Sequence, residues 1–423
     1  MGTCRAATCT DGVKNGGESD LDCGGAAGCP RCGEGKDCAL PGDCLSSQCV
    51  TTKCTQPPLF STPVQLPVGT GPWDVAVADL DGDGKQDIAV SNQGSYDVSV
   101  AFGNGDGTFT SVAALAVAGN GSGPQGLLLT DVNGDGKKDV VTGRAMSGPG
   151  GWGGGRFTLA RNFGARAFLS PVDYDYYTGA WAGGGGGVAV GDFNGDGRVD
   201  FATGDTDISN YVTNPDARGG YWWFGTADGG VAAGGELPAA GTAMASADFN
   251  RDGHTDVVGH SPGRGTATVF LGFTPGMDGG GGLTLSATVG VSAGGGTIVT
   301  GLINPDMNPD FAVTANSASR VSICLGVGDG TFLSPATYAV TAPYGLVLSD
   351  VTRDGIPDLV VGSSGIGVLA GLDGGTFGAA SYYQSAALGA VGRIAVGDFN
   401  GDGKPDVVAI AGGKAWVLLN LSP

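Results

Sequence analysis

Four carboxylates crowd one short stretch. Asp79, Asp81, Asp83 and Asp87 occupy positions one, three, five and nine of DLDGDGKQD. Hard divalent cations are held by several oxygens presented from a sharply turned loop. The four side chains supply carboxylate oxygens, and the backbone carbonyl of Lys85, at position seven, supplies another. Gly84, at position six, permits the turn that a side chain would resist. The stretch reads as a Ca2+ loop.

The same spacing returns along the chain. Asp131, Asn133, Asp135, Lys137 and Asp139 form a second copy. Asp192, Asn194, Asp196, Arg198 and Asp200 form a third, and Asp248, Asn250, Asp252, His254 and Asp256 a fourth. Asp398, Asn400, Asp402, Lys404 and Asp406 form the last. Two copies are weaker. Asp350, Asp354, Ile356 and Asp358 keep the pattern, but Thr352 sits at position three. In residues 302–310 Leu302 has replaced the first carboxylate and Met307 the glycine. In every copy the position-seven residue is expected to act through its carbonyl. About five to six Ca2+ sites are expected, the fifth copy being the weakest.

The elements that carry these loops are strands. VAVADL precedes the first loop and DIAVSN follows it, both short and rich in β-branched residues. The loop thus closes a hairpin of strands A and B. Strand C is DVSVAFG, followed by the turn NGDG, and strand D is TFTSVAALAV. Copies begin at 79, 131, 192, 248, 302, 350 and 398. A strand-built period near 50 residues marks a propeller, and seven copies predict seven four-stranded antiparallel blades. The last copy has strands A, B and C but no D. An orphan strand, LFSTPVQLPV at residues 59–68, stands before the first copy. It is expected to pair beside residues 416–419 and close the ring, which removes the open sheet edges.

Composition agrees. Glycine is abundant, at 84 of 423 residues, without a collagen period, as many tight turns require. Net charge is −20, and 21 of the 41 acidic residues lie in the seven loops. Roughly six bound Ca2+ would offset about 12 of those charges. No basic stripe offers itself to nucleic acid. No apolar run is long enough to form a transmembrane segment.

Residues 1–56 are of another kind. Nine of the ten cysteines fall there, from Cys4 to Cys54, with few large apolar residues. Such a segment needs staples. The pair Cys29 and Cys32 has no second close CxxC partner to complete a zinc ribbon. Four disulfides among the eight cysteines from Cys9 to Cys54 are expected, with Cys4 left over and the pairing open. The wording CTDGVKNGGESDLDCGG, then CPRC and DCLSSQC, resembles a cysteine-rich module of secreted myxobacterial proteins. Disulfides imply an extracellular or cell-surface location, with the export signal outside this sequence. Residues 55–58 read as a stiff linker, so the domains are 1–56 and a propeller over 57–423. The tenth cysteine, Cys324, aligns with Ala101 on a strand C and is expected to be a buried free thiol.

GPWDVAVADLDGDGKQDIAVSN with VSVAFGNGDGTF closely resembles the FG-GAP/VCBS repeat of integrin α-subunit and bacterial surface propellers. The resemblance implies Ca2+ at the loop residues and a role in recognition or adhesion. Some seven-bladed members are lectins, but no pocket motif recurs in every blade here.

Strand alternation puts the A–B loops and C–D turns on one face and the B–C and D–A connections on the other. Long insertions fall on the second face, carrying Trp152, Tyr176, Tyr177, Trp181 and Tyr211. Aromatic rings on loops suit a glycan or a surface protein. The same rings could instead cap the blades. Tyr221 to Phe224 sit on a strand C and are expected in the core. The two histidines, His254 and His260, have no nucleophile placed beside them by a motif, so the chain is expected not to be an enzyme. Recognition through the insertion face is one reading. A structural part in an extracellular assembly or filament, built by self-assembly, is the other.

Overall fold

The computed structural model describes residues 59–422, apart from 111–112, 118–122, 145–155, 176–183, 206–219, 239, 274–281, 384 and 386. Ahead of them it describes Cys32, Lys36, Cys38, Cys49–Val50 and Lys53–Cys54. The chain forms two compact units, Met1–Ser61 with Leu421–Pro423, and Thr62–Asn420. In the first, Cys32 and Cys38 are buried and each is disulfide-bonded. Cys49–Val50 pairs antiparallel with Lys53–Cys54. The other expected bridges fall on cysteines whose side chains lie outside the description.

The second unit is built of seven four-stranded antiparallel sheets. In the first blade strands A to D are Pro72–Ala78, Asp87–Asn92, Asp97–Ala101 and Ala113–Ala116. The A strands of the next five blades are Pro124–Thr130, Gly184–Gly191, Ala243–Ala247, Ile298–Gly301 and Leu346–Ser349. The seventh is Val391–Gly397. These seven strands neighbour one another in turn, the last touching the first, so they form the inner ring. Gly184 to Gly187 open the third strand A, and His260 lies within a strand B, Asp256–Ser261.

Every strand B is buried at each residue whose burial is described, because a neighbouring blade covers each of its faces. That explains why these runs are continuously apolar rather than alternating. Ile88 and Val90 pack on Val408 and Ile410 of the seventh blade. Ala89, one residue out of phase, packs on Leu127 and Val140 of the second. Three consecutive residues of strand B thereby join two inter-blade cores. Tyr221, Trp222 and Trp223 are buried on a strand C, and Cys324 is buried and free.

The ring closes as the orphan strand requires. Val64–Leu66 lies antiparallel to Lys414–Leu418, with Val64 opposite Val417, Gln65 opposite Trp416 and Leu66 opposite Ala415. The seventh sheet is therefore three strands from the end of the chain and one from its beginning.

Candidate metal loops and channel mouth

Six of the seven A–B loops are built around two left-handed positions. The position-six glycines, Gly84, Gly136, Gly197, Gly253, Gly355 and Gly403, all have φ between 75° and 89°. Position four is also left-handed, in Gly82, Gly134, Gly195 and Gly401 and even in Arg251 and Arg353. The fifth loop differs. Met307 adopts φ 66° at position six at a steric cost. Pro305 stands at position four, where its ring forbids a positive φ.

The first-position carboxylate gathers the loop around itself. Asp79 accepts from the N–H of Gly82 at 2.7 Å and of Gly84 at 2.8 Å. Asp131, Asp192, Asp248, Asp350 and Asp398 likewise accept from their own position-six glycines at 2.7–3.0 Å. The fifth carboxylate accepts from the position-seven N–H, as Asp83 does from Lys85 at 3.0 Å. These N–H bonds and the Lys85 ammonium hold the Asp83 carboxyl below its ordinary range. In four loops a basic side chain at position seven lies over that carboxylate: Lys85, Lys137, Arg198 and His254.

The ninth position behaves differently from the rest. Asp87, Asp139, Asp200, Asp256, Asp310, Asp358 and Asp406 are all fully buried. One oxygen of each accepts an N–H from position two or three of its own loop, at 2.7–3.0 Å. The other accepts an N–H at the end of strand C, at 2.6–2.8 Å. This carboxylate latches the A–B loop to the C–D turn within each blade. Burial pushes Asp87 and Asp406 up to about 6, and Asp200 and Asp256 up to about 7, against the pull of those N–H bonds.

Position two completes the latch. Leu80, Val132, Phe193, Phe249, Ile303, Val351 and Phe399 are all buried plugs. The carbonyl of Phe399 accepts from Gly107 N–H of the first blade at 2.8 Å, and that of Phe249 from Gly330 N–H of the fifth at 3.1 Å. The Leu80 carbonyl accepts from the Asn162 amide of the second blade at 2.6 Å. The sequence reading passed over this position, although an apolar residue stands there in all seven copies.

The donor set suits a hard cation. Asp79, Asp81 and Asp87 bring ligand oxygens within 4.8 Å of one another. The buried Asp87 oxygens each have one lone pair left after their N–H bonds. With Asp83 and the Lys85 carbonyl, the first loop offers five oxygen donors from nine residues. The second, third, fourth and seventh loops replace one carboxylate with an Asn amide oxygen. A further cation is already present at the first loop. The Arg166 Nε donates to Asp81 at 2.7 Å, and its guanidinium stacks 4.7 Å from the Phe102 ring. Arg166 sits at the tip of a small hairpin, Asn162–Gly164 with Ala167–Phe168, that the second blade adds after its strand C.

The opposite end of the ring is open. Residues at or near the starts of all seven A strands surround a cavity of about 700 Å³. Trp73 and Tyr344 stand at this mouth with 44% and 51% of their surface exposed. Asp74 and Arg393 line it too. None of these four was singled out from sequence, because nothing in a single repeat marks the axis. Trp152, Tyr176, Tyr177, Trp181 and Tyr211 lie outside the described residues. His254 pairs with Asp252 at 2.9 Å. His260 is buried, and burial pushes its imidazole down to about 4.

Comparison with known proteins agrees with this architecture. A family model described as an FG-GAP-like repeat matches residues 57–90, 80–142, 303–361 and 350–409. No curated protein matches the chain. Among solved structures, the crystal structure of BBS1N in complex with ARL6DN, soaked with lead, is similar over 86% of this chain and 96% of that one. Its TM-score is 0.52 at 11% identity, a likeness of fold alone. The matched segments fall on the first two and last three blades, so the chain is a seven-bladed β-propeller carrying FG-GAP-like repeats.

Proposed function

We propose that this protein is an extracellular recognition module, stabilised by Ca2+, that holds a glycan or a surface protein on the face opposite its loops. One observation carries the reading: the two faces differ in kind. The loop face is tied by latches within the blades and by hydrogen bonds between them. The other face opens into a 700 Å³ cavity whose rim presents Trp73 and Tyr344. Concave, mostly apolar sites with a few polar groups are where ligands are held. Disulfide-bonded Cys32 and Cys38 support an oxidising location. Among the described residues no helix is long and apolar enough to cross a membrane.

Ca2+ has a structural part in this reading. It would be held by positions one, three, five and nine and the position-seven carbonyl, and would relieve repulsion among crowded carboxylates. No catalytic step is assigned. A glycan array and a surface-protein binding assay test the reading. Saturable, competable binding is expected, weakened by Trp73→Ala or Tyr344→Ala at an unchanged melting temperature. Binding that ignores both changes would overturn the assignment to this face.

A further inference from the structure

The channel mouth has an unusual charge inventory. Among the described residues that line it only two are charged, Asp74 and Arg393. They enter from adjacent blades, the first and the seventh. Most of the remaining lining is apolar side chain or glycine backbone, with Gln125, Thr242, Thr297, the Tyr344 hydroxyl and the Trp73 indole N–H as the other polar groups among the described residues.

The two charges are held differently. Asp74 is fixed by its neighbours. One oxygen accepts from its own Val75 N–H at 3.0 Å, the other from Leu127 N–H of the second blade at 3.1 Å. Each oxygen has a lone pair left. Arg393 reaches from the seventh blade to the fifth, where its Nη1 donates to the Thr297 hydroxyl. That hydroxyl in turn donates to the Tyr344 carbonyl at 2.9 Å. A guanidinium has five N–H donors, and among the described residues Thr297 is the only hydrogen-bond acceptor Arg393 meets. Its other donors are unspent, beside a cavity that they line.

A ligand must match this pair. A carboxylate would take the free guanidinium donors in a charge-assisted bond. A simple anion would then leave Asp74 facing excess negative charge in a largely apolar enclosure, which is costly. A simple cation on Asp74 would leave Arg393 in the same position. A molecule carrying both charges satisfies both residues and keeps the cavity neutral. The lining then requires an apolar body, and about 700 Å³ suits a small molecule rather than a folded partner.

We propose that the channel mouth binds a small zwitterion with an apolar body, of the class of a free apolar amino acid or a dipeptide with both ends free. Its carboxylate sits on Arg393 and its ammonium on Asp74, with the side chain toward the apolar wall. The proposal rests on the same face as the recognition reading but needs no macromolecular partner. Burial raises the Asp74 carboxyl above its ordinary range and the Arg393 charge opposes that rise, so the two groups feel one another.

Calorimetry on the full chain tests it with leucine, phenylalanine and leucyl-leucine as probes. N-acetyl-leucine, leucinamide and glucose serve as the comparison set. Saturable binding of at least one free zwitterion is expected, weakened tenfold or more when either end is blocked. Arg393→Gln should remove the preference for a free carboxylate and Asp74→Asn the preference for a free amine. Arg393→Lys, which keeps the charge, should restore part of the first preference. Should Arg393→Gln fail to fold, the blocked probes on the unaltered chain decide the matter alone. No zwitterion binding below about 10 mM, equal binding of blocked probes, or preference for glucose would each overturn the proposal. Glycan or surface-protein binding that persists without zwitterion binding would sink this inference and leave the recognition reading standing.

Discussion

The first and fifth loops are the same backbone device with different chemistry. In the first, Asp79 binds the loop glycines, Asp81 and Asp87 converge with it, and both turn positions are glycine. In the fifth, Leu302 is half exposed and offers no oxygen, while Pro305 and Met307 occupy the turn positions. Yet Asp310 is as buried as Asp87 and keeps both latch bonds, each at 2.8 Å. Ile303 remains a buried plug like Leu80. The ninth-position carboxylate therefore has a job that does not depend on the first. Positions two and nine build the blade, and in the proposed reading positions one, four and six shape and charge the loop for a cation.

The largest effect that could break this division is at Asp310. Asp310→Ala would strand two buried N–H donors, each costing about 1–3 kcal/mol. A loss on the order of 3 kcal/mol is expected by denaturant melts, with no change in bound Ca2+. Asp79→Ala should do the reverse, removing one Ca2+ while costing little in metal-stripped protein. Equal effects of the two changes on stability and metal count would erase the distinction.

The buried ninth-position carboxylates also set a pH signature. Their folded pKa values, about 6 for Asp87 and Asp406 and about 7 for Asp200 and Asp256, lie above the ordinary 3.8. The folded state therefore takes up protons more readily, and lowering the pH from 8 toward 6 should stabilise metal-stripped protein. His260 acts oppositely. Its folded value near 4 lies below the ordinary 6.5, so stability is lost as pH falls through that window. Melting of metal-stripped protein should thus rise from pH 8 to 6 and go on rising toward pH 4, with His260 offsetting part of the gain. With Ca2+ present the trend should invert, because protons compete with the cation for the same oxygens. A metal-stripped melt that falls steadily from pH 8 to 6 would contradict the buried-latch picture.

Arg166 gives the smallest and most local test. Its ion pair with Asp81 is partly exposed, with the guanidinium 43% exposed. Arg166→Ala should cost metal-stripped protein no more than about 1 kcal/mol. It should also tighten Ca2+ at the first loop a few-fold, by freeing Asp81 and removing a nearby positive charge. The other loops report no change if the effect is local, as titration calorimetry would show.

Much of this was legible in sequence because it repeats. Seven copies of one acidic spacing announced seven blades, and the missing strand D of the last copy announced the closing strand, found at Val64–Leu66. What escaped had one of two causes. The latch was hidden because Asp87 resembles a ligand by type, and only burial distinguishes it from Asp79. The channel mouth was hidden because it takes its residues from all seven repeats. Asp74 and Arg393 are brought together by ring closure, across more than 300 residues of chain, and no local pattern records that.

The division between blade-building and cation-binding positions is tested most directly by counting metal. Metal-stripped chain is loaded with Ca2+ and its bound metal counted by calorimetry, for the unaltered sequence and for Leu302→Asp, Pro305→Gly and Met307→Gly combined. The combined change supplies the missing carboxylate and both turn glycines while leaving Ile303 and Asp310 in place. The unaltered chain is expected to bind about five to six Ca2+, and the combined variant one more. No bound Ca2+, or a count that the three changes leave untouched, would contradict the account.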